Sequence, residues 1–168
     1  MGYVHDTNMS QYITPSMFHY VTGTWADAAG NVTGTIVKQK TAGAETSVVT
    51  IPIMIPSNSS ALKGSMLESV EIDYEILTAA ATSITAAVNK ITSGADGAVA
   101  VKAAVTATQD LTAATDAADV DQHKLTVTIT TPAYIDNGDY YFVELTCICA
   151  GTTVLEFLGA IANYTLRV

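Results

Sequence analysis

Apolar and polar side chains alternate most cleanly over residues 65–77. Val70, Ile72, Tyr74 and Ile76 form one row, and Ser69, Glu71, Asp73 and Glu75 form the other. Successive side chains of a strand point to opposite faces, so this pattern predicts a strand with one buried and one wet face, as in an antiparallel sheet or sandwich. The same period returns over 124–131, with Leu125, Val127 and Ile129 inward and three Thr outward. It returns again over 140–149, where Tyr141, Val143 and Leu145 share a row. Val70, Ile72, Tyr74, Ile76, Leu125, Val127, Ile129, Val143 and Leu145 are the predicted core.

Weaker signals fill the remainder. Residues 21–41 read as a hairpin turning at 27–31, with Trp25 on its first arm. Residues 47–55 read as a strand with Val49, Ile51, Ile53 and Ile55 on one face. Pro52 lacks an N–H, which predicts an edge or a bulge there. Residues 82–91 are Ala-rich but alternate through Ile84, Ala86 and Val88, and so predict a strand. Residues 98–108 predict one strand with Val99, Val101, Ala103 and Val105 inward. The polar, acidic stretch 109–122 is an excursion that admits a short helix. A turn at 136–139 leads into a final hairpin over 138–168. In its last strand Leu155, Phe157 and Ile161 fall out of phase with Tyr164, Leu166 and Val168, which predicts a bulge near Gly159. The total is about eight strands in an all-β, antiparallel two-sheet sandwich of jelly-roll type.

Residues 1–20 lack the strand period yet carry Tyr3, Tyr12, Phe18 and Tyr20, among other apolar residues. Disordered tails are poor in such side chains. The expectation is an extended arm, 1–20, lying against its own domain or a neighbour, followed by a single sandwich domain, 21–168. The four aromatics are its candidate interface anchors.

Composition narrows the partners. The chain has 168 residues, 14% of them charged, against about 25% in typical proteins. A surface so poor in charge suits cover by other subunits and favours an oligomer. Net charge is −9, and the seven cations (Lys38, Lys40, Lys63, Lys90, Lys102, Lys124, Arg167) are scattered. Nucleic acid and anionic membrane surfaces both call for clustered cations, so neither is an expected partner. No apolar run approaches a membrane span, and the first residues have neither the cationic start nor the apolar run of a signal peptide.

Candidate chemistry is sparse. Cys147 and Cys149 stand two apart on one strand face, at the limit of disulfide reach. They read as free buried thiols, with a C-x-C metal or redox half-site as the alternative. Free thiols suit a reducing cytoplasm. Asp110, Asp116, Asp119 and Asp121, with His123 beside them, offer oxygens to Ca²⁺, but without EF-hand spacing, and read as a solvated acidic loop. The carboxylates at 71, 73 and 75 read as a wet stripe. Three N-x-S/T matches, at Asn31, Asn58 and Asn163, read as chance in a Thr-rich chain. No phosphate loop and no nucleophile elbow is present. No catalytic residue, cofactor or metal is expected.

The succession of an aromatic arm, a Trp25 hairpin, the stretch Ile51-Pro52-Ile53-Met54-Ile55-Pro56-Ser57-Asn58-Ser59, the stretch from Lys63 through Tyr74, and Thr130-Thr131-Pro132-Ala133-Tyr134 before Gly138-Asp139-Tyr140-Tyr141 resembles the small jelly-roll virion structural proteins of tailed bacteriophages. That resemblance implies a head decoration (cement) or fibre protein without catalytic residues. It implies a homotrimer that meets the major capsid protein or other virion proteins, made in the host cytoplasm and found on the virion. The alternative reading is a carbohydrate-binding or adhesin sandwich. That class usually lines up exposed aromatics and is secreted. An enzyme on a jelly roll, such as a cupin, would need clustered His, and only three dispersed His are present.

Overall fold

The computed structural model describes residues 5–30, 34–57, 64–110, 117 and 119–167. Twelve antiparallel strands lie in two sheets among them. They are β1 (Asp6–Ile13), β2 (His19–Thr22), β3 (Trp25–Ala29), β4 (Ile36–Lys40), β5 (Glu45–Ile53), β6 (Gly64–Ile76), β7 (Ala81–Thr92), β8 (Val101–Ala104), β9 (Ala107–Gln109), β10 (Gln122–Ile129), β11 (Asp139–Cys149) and β12 (Leu155–Arg167). The first sheet runs β3-β4-β12-β6-β10-β9, with β1 also paired to β12, and the second runs β2-β5-β11-β7-β8.

The connections are those of a jelly roll. The eight strands β4 to β8 and β10 to β12 change sheet at each step except β7 to β8. In chain order they lie first-eighth-third-sixth in one sheet and second-seventh-fourth-fifth in the other, which is jelly-roll order. Each sheet turns one row of alternating side chains to the other sheet, and these rows make the core. Val70, Ile72, Tyr74, Ile76, Leu125, Val127, Ile129, Val143 and Leu145 are all buried, as the period of two predicts.

Several details follow the sequence closely. The pairing of β2 with β5 covers Val48 to Thr50 and stops short of Pro52, so the missing N–H falls where that side of β5 is unpaired. Register shifts between Phe157 and Gly159, and again between Asn163 and Tyr164, bring β12 into phase. After the first shift Ala160, Ala162 and Tyr164 point inward, and Ile161 turns to the outer face. Cys147 and Cys149 are free and buried on the inward row of β11. Burial pushes both thiols up from their ordinary pKa.

Other expectations are corrected. The segment placed outside the sheets as an arm contributes two strands. β1 pairs with β12 from Asp6↔Arg167 to Ile13↔Ala160, and β2 pairs with β5. Its missing period has a physical cause: β1 is an edge strand, and Asp6 to Ser10 are exposed on both faces, so neither face selects apolar residues. A short 3-10 turn, Pro15–Met17, carries the chain from one sheet to the other.

The stretch 98–108 is two strands, β8 in the second sheet and β9 in the first. Val101 is 63% exposed because β8 is an edge that reaches past the core, and Val99, ahead of that strand, is 87% exposed. The final hairpin is a crossing between sheets: β11 belongs to one and β12 to the other. Buried Thr153 fixes that crossing, its Oγ1 donating to Ala80 O at 2.7 Å and accepting from Ala150 N at 3.1 Å. The first hairpin closes later than expected, Ala29 pairing with Ile36.

Lys40 is fully buried. Its ammonium donates to Thr41 O and Gly43 O, both at 2.8 Å, and lies 3.5 Å from Glu45 Oε1. A buried cation must be ringed by oxygens, and here that requirement ties down the β4–β5 loop. The backbone N–H of Thr24 is the main cause holding the Glu45 carboxyl below its ordinary pKa, and Lys40 adds to it.

Candidate functional site

The outer face of the first sheet carries the most organised surface chemistry of the molecule. Register sets Asp6, Asn8, Ser10 and Tyr12 of β1 beside Arg167, Thr165, Asn163 and Ile161 of β12. Next across the sheet come the outer rows of β6 and β10. These side chains are linked in a ladder. Arg167 donates twice to the Asp6 carboxylate, at 2.7 and 2.8 Å. Thr165 Oγ1 lies 3.1 Å from Glu68 Oε1 and 3.3 Å from Asn8 Oδ1. Ser10 donates to Asn163 Oδ1 at 2.8 Å, and Asn163 Nδ2 donates to Glu71 at 2.9 Å and to Ser69 at 3.2 Å. Lys124 closes the row on Glu71 at 2.7 Å.

The hydrogen bond from Lys124 is the main cause holding the Glu71 carboxyl below its ordinary pKa, and Arg167 does the same for Asp6. A ladder satisfied in this way is rigid, and it presents its remaining lone pairs and protons in fixed directions.

Tyr12 ends the β1 row. Its ring is 57% exposed, yet it is held in place. Its hydroxyl donates to Leu158 O at 2.9 Å, and the phenol end lies over Gly159, where an added Cβ would collide with it. Gly159 has φ +151°, a conformation that other residues adopt only with strain. The bulge, the glycine and the aromatic ring are therefore one device, which fixes an exposed ring on the sheet surface.

One groove takes in the ring, and a second lies further along β1. One, of about 480 Å³, is lined by Tyr12, Thr14, Ser16, Ile36 and Leu158, with Thr35, Pro15 and Val37 completing it. The other, of about 470 Å³, runs along Asn8, Ser10, Glu68, Asn163 and Thr165, with Met9 and Tyr164 completing it. Thr14 and Ser16 share a hydrogen bond of 2.8 Å in the first groove.

The four aromatics expected to act as anchors separate. Tyr3 lies outside the described residues. Phe18 is buried, with its ring centroid 5.9 Å from that of Phe157. Tyr20 is half-buried against Trp25 at 4.6 Å, and burial pushes its hydroxyl pKa up to about 12. Tyr12 alone of the described three presents an exposed ring. Sequence reasoning missed Asn8, Ser10, Asn163, Thr165 and Glu68, whose only signal was the row they share once β1 is recognised as a strand.

Asp116 lies outside the described residues, as do 111–115 and 118 of the acidic loop, while Asp110, Asp119 and Asp121 are described. His123 packs its ring 5.4 Å from Tyr74 and approaches Asp119 O at 3.2 Å. Among the described residues no group of three or more His, Cys, Asp and Glu side chains is placed to hold a metal ion. No described helix is long and apolar enough to cross a membrane.

No protein-family model matches the chain, and no curated protein matches its sequence. Solved structures with a similar fold include TmCBM61 in complex with β-1,4-galactotriose. That likeness has a TM-score of 0.44 and 6% identity, and it covers 88% of this chain and 89% of that one. They also include an arabinose-bound α-L-arabinofuranosidase, MgGH51, with a TM-score of 0.43 and 14% identity, covering 91% of this chain. This chain spans 24% of the arabinofuranosidase.

Proposed function

We propose that this protein is a non-catalytic binding module that takes neutral carbohydrate on the outer face of its first sheet. One observation carries the reading: Tyr12 is exposed yet locked in a groove beside the hydroxyls of Thr14 and Ser16, and a second groove further along the β1 row holds the hydroxyl, amide and carboxylate side chains of the ladder. A sugar ring has an apolar C–H face and a rim of hydroxyls. It suits an aromatic ring flanked by fixed donors and acceptors. Because the ring and the ladder are already ordered, little entropy is lost on binding. Binding to a panel of neutral soluble polysaccharides tests this by calorimetry. Tyr12→Ala is expected to weaken the affinity at least tenfold and to leave a folded protein. No binding across the panel, or binding unchanged in Tyr12→Ala, would overturn the reading.

A second reading is a virion structural protein, the class that the sequence resembles. What supports it is the outer face of the second sheet, which carries little charge and exposes Tyr140 and Ile148 as a surface meant to be covered would. Its test is the presence of this chain on purified phage particles.

A further inference from the structure

The two outer faces of the sandwich differ in charge. The first sheet's face carries Asp6, Glu68, Glu71, Asp73 and Glu75 against Lys124 and Arg167. On the second sheet, register turns Tyr140, Phe142, Glu144, Thr146 and Ile148 of β11 outward, between a row of Thr, Val and Pro from β5 and a row of Ser, Thr, Ala, Asn and Ile from β7. Among the described residues of this face the charged side chains are Lys102 and Glu144, which neutralise each other at 2.7 Å.

The centre of the face is built rather than loose. Tyr140 stacks on Phe142 with centroids 5.8 Å apart and planes at 19°. Lys102 crosses the Phe142 ring, 5.5 Å from its centroid. Phe142 is covered by this arrangement, while Tyr140 and Ile148 remain 42% and 41% exposed.

Charge and area together choose the occupant. Two copies of a chain with net charge −9 repel each other, and they do so least through a face that is neutral. A contact centred on aromatics and short of unpaired charge is the composition of an interface core. The five strands hold 40 residues, which at about 3.3 Å rise and about 4.8 Å spacing give a face of roughly 630 Å². That lies within the roughly 600–1,000 Å² per partner of a stable protein interface.

We propose that a second copy of this chain covers the outer face of the second sheet. The proposal is independent of what the first sheet's face binds.

Light scattering coupled to gel filtration, run on the full chain across a concentration series, tests it. The expected mass is a multiple of 17.5 kDa. Ile148→Glu, at an exposed position, sets like charges against each other across the contact and is expected to weaken association at least tenfold. Tyr140→Ser removes the anchor and is expected to act in the same direction. Thr128→Glu, exposed on the opposite face, should leave the mass unchanged. A monomer at every concentration would overturn the proposal. So would an oligomer whose mass survives both Ile148→Glu and Tyr140→Ser.

Discussion

Removal of residues 1–20 is expected to unfold the domain or leave it barely stable, rather than release a detached arm. Ile13 and Phe18 are 1% and 5% exposed and belong to the main core. Each contributes about 1.5–3 kcal/mol when fully buried. Removing them also strips cover from Trp25 and Phe157 and frees the edge of β12 over eight paired positions. The loss is comparable with the whole stability of an ordinary domain, about 5–15 kcal/mol. Removing residues 1–10 alone spares both core side chains. That shorter truncation is expected to stay folded, with a lower denaturation midpoint and without the Asp6–Arg167 pair. Urea unfolding followed by far-UV circular dichroism compares the two. If the chain lacking residues 1–20 unfolded at the midpoint of the full chain, Ile13 and Phe18 would have no part in holding the core.

That expectation reverses the one drawn from pattern alone, and the reason lies in what a pattern can report. Alternation records which face of a strand is dry. β6, β10 and β11 are central strands with one dry face, and their rows were legible to the residue. β1 has almost no dry face, so its pairing with β12 left no trace beyond Ile13. Alternation also says nothing about which sheet a strand joins. β11 and β12 read as a hairpin because a turn separates them, and only the structure shows the chain crossing between sheets there.

Val99 and Val101 misled for a related reason. Apolar identity predicts burial only where a second sheet is present to bury it, and β8 extends past the first sheet's cover. The bulge near Gly159 was legible because a glycine and a phase break coincided. That the glycine serves to seat Tyr12 was not legible, since the contact joins residues from opposite ends of the chain. Tyr12, Phe18 and Tyr20 are close in sequence and alike in chemistry. Tyr12 faces water because Ile13 beside it takes the inward position of β1, whereas Tyr20 pairs on β2 with inward-facing Val49 and Phe18 lies buried just ahead of it. The ladder of Asn8, Ser10, Asn163, Thr165 and Glu68 shares this character. It is assembled across strands distant in sequence, and single-residue chemistry gives no hint of it.

Phe157→Ala is expected to be among the most damaging single substitutions in the protein. Phe157 is fully buried on β12, the strand that pairs with β6 on one side and with β1 and β4 on the other. Its ring lies 5.9 Å from both Phe18 and Trp25, and Trp25 in turn packs against Tyr20. Through this cluster the N-terminal segment is fastened to the sandwich. Truncation to alanine removes the transfer free energy of the ring and leaves a cavity that strands held on both sides cannot close. The expected loss is about 3–5 kcal/mol. Phe157→Leu fills much of that volume and is expected to cost less than about 1.5 kcal/mol. Phe157→Ala combined with Phe18→Ala should cost less than the sum of the two, because each removes the same ring contact. Equilibrium urea unfolding checks all three, the midpoint falling while the slope stays constant. A loss under about 1 kcal/mol for Phe157→Ala would mean that the site collapses freely and that the aromatic cluster does not fasten the first twenty residues to the fold.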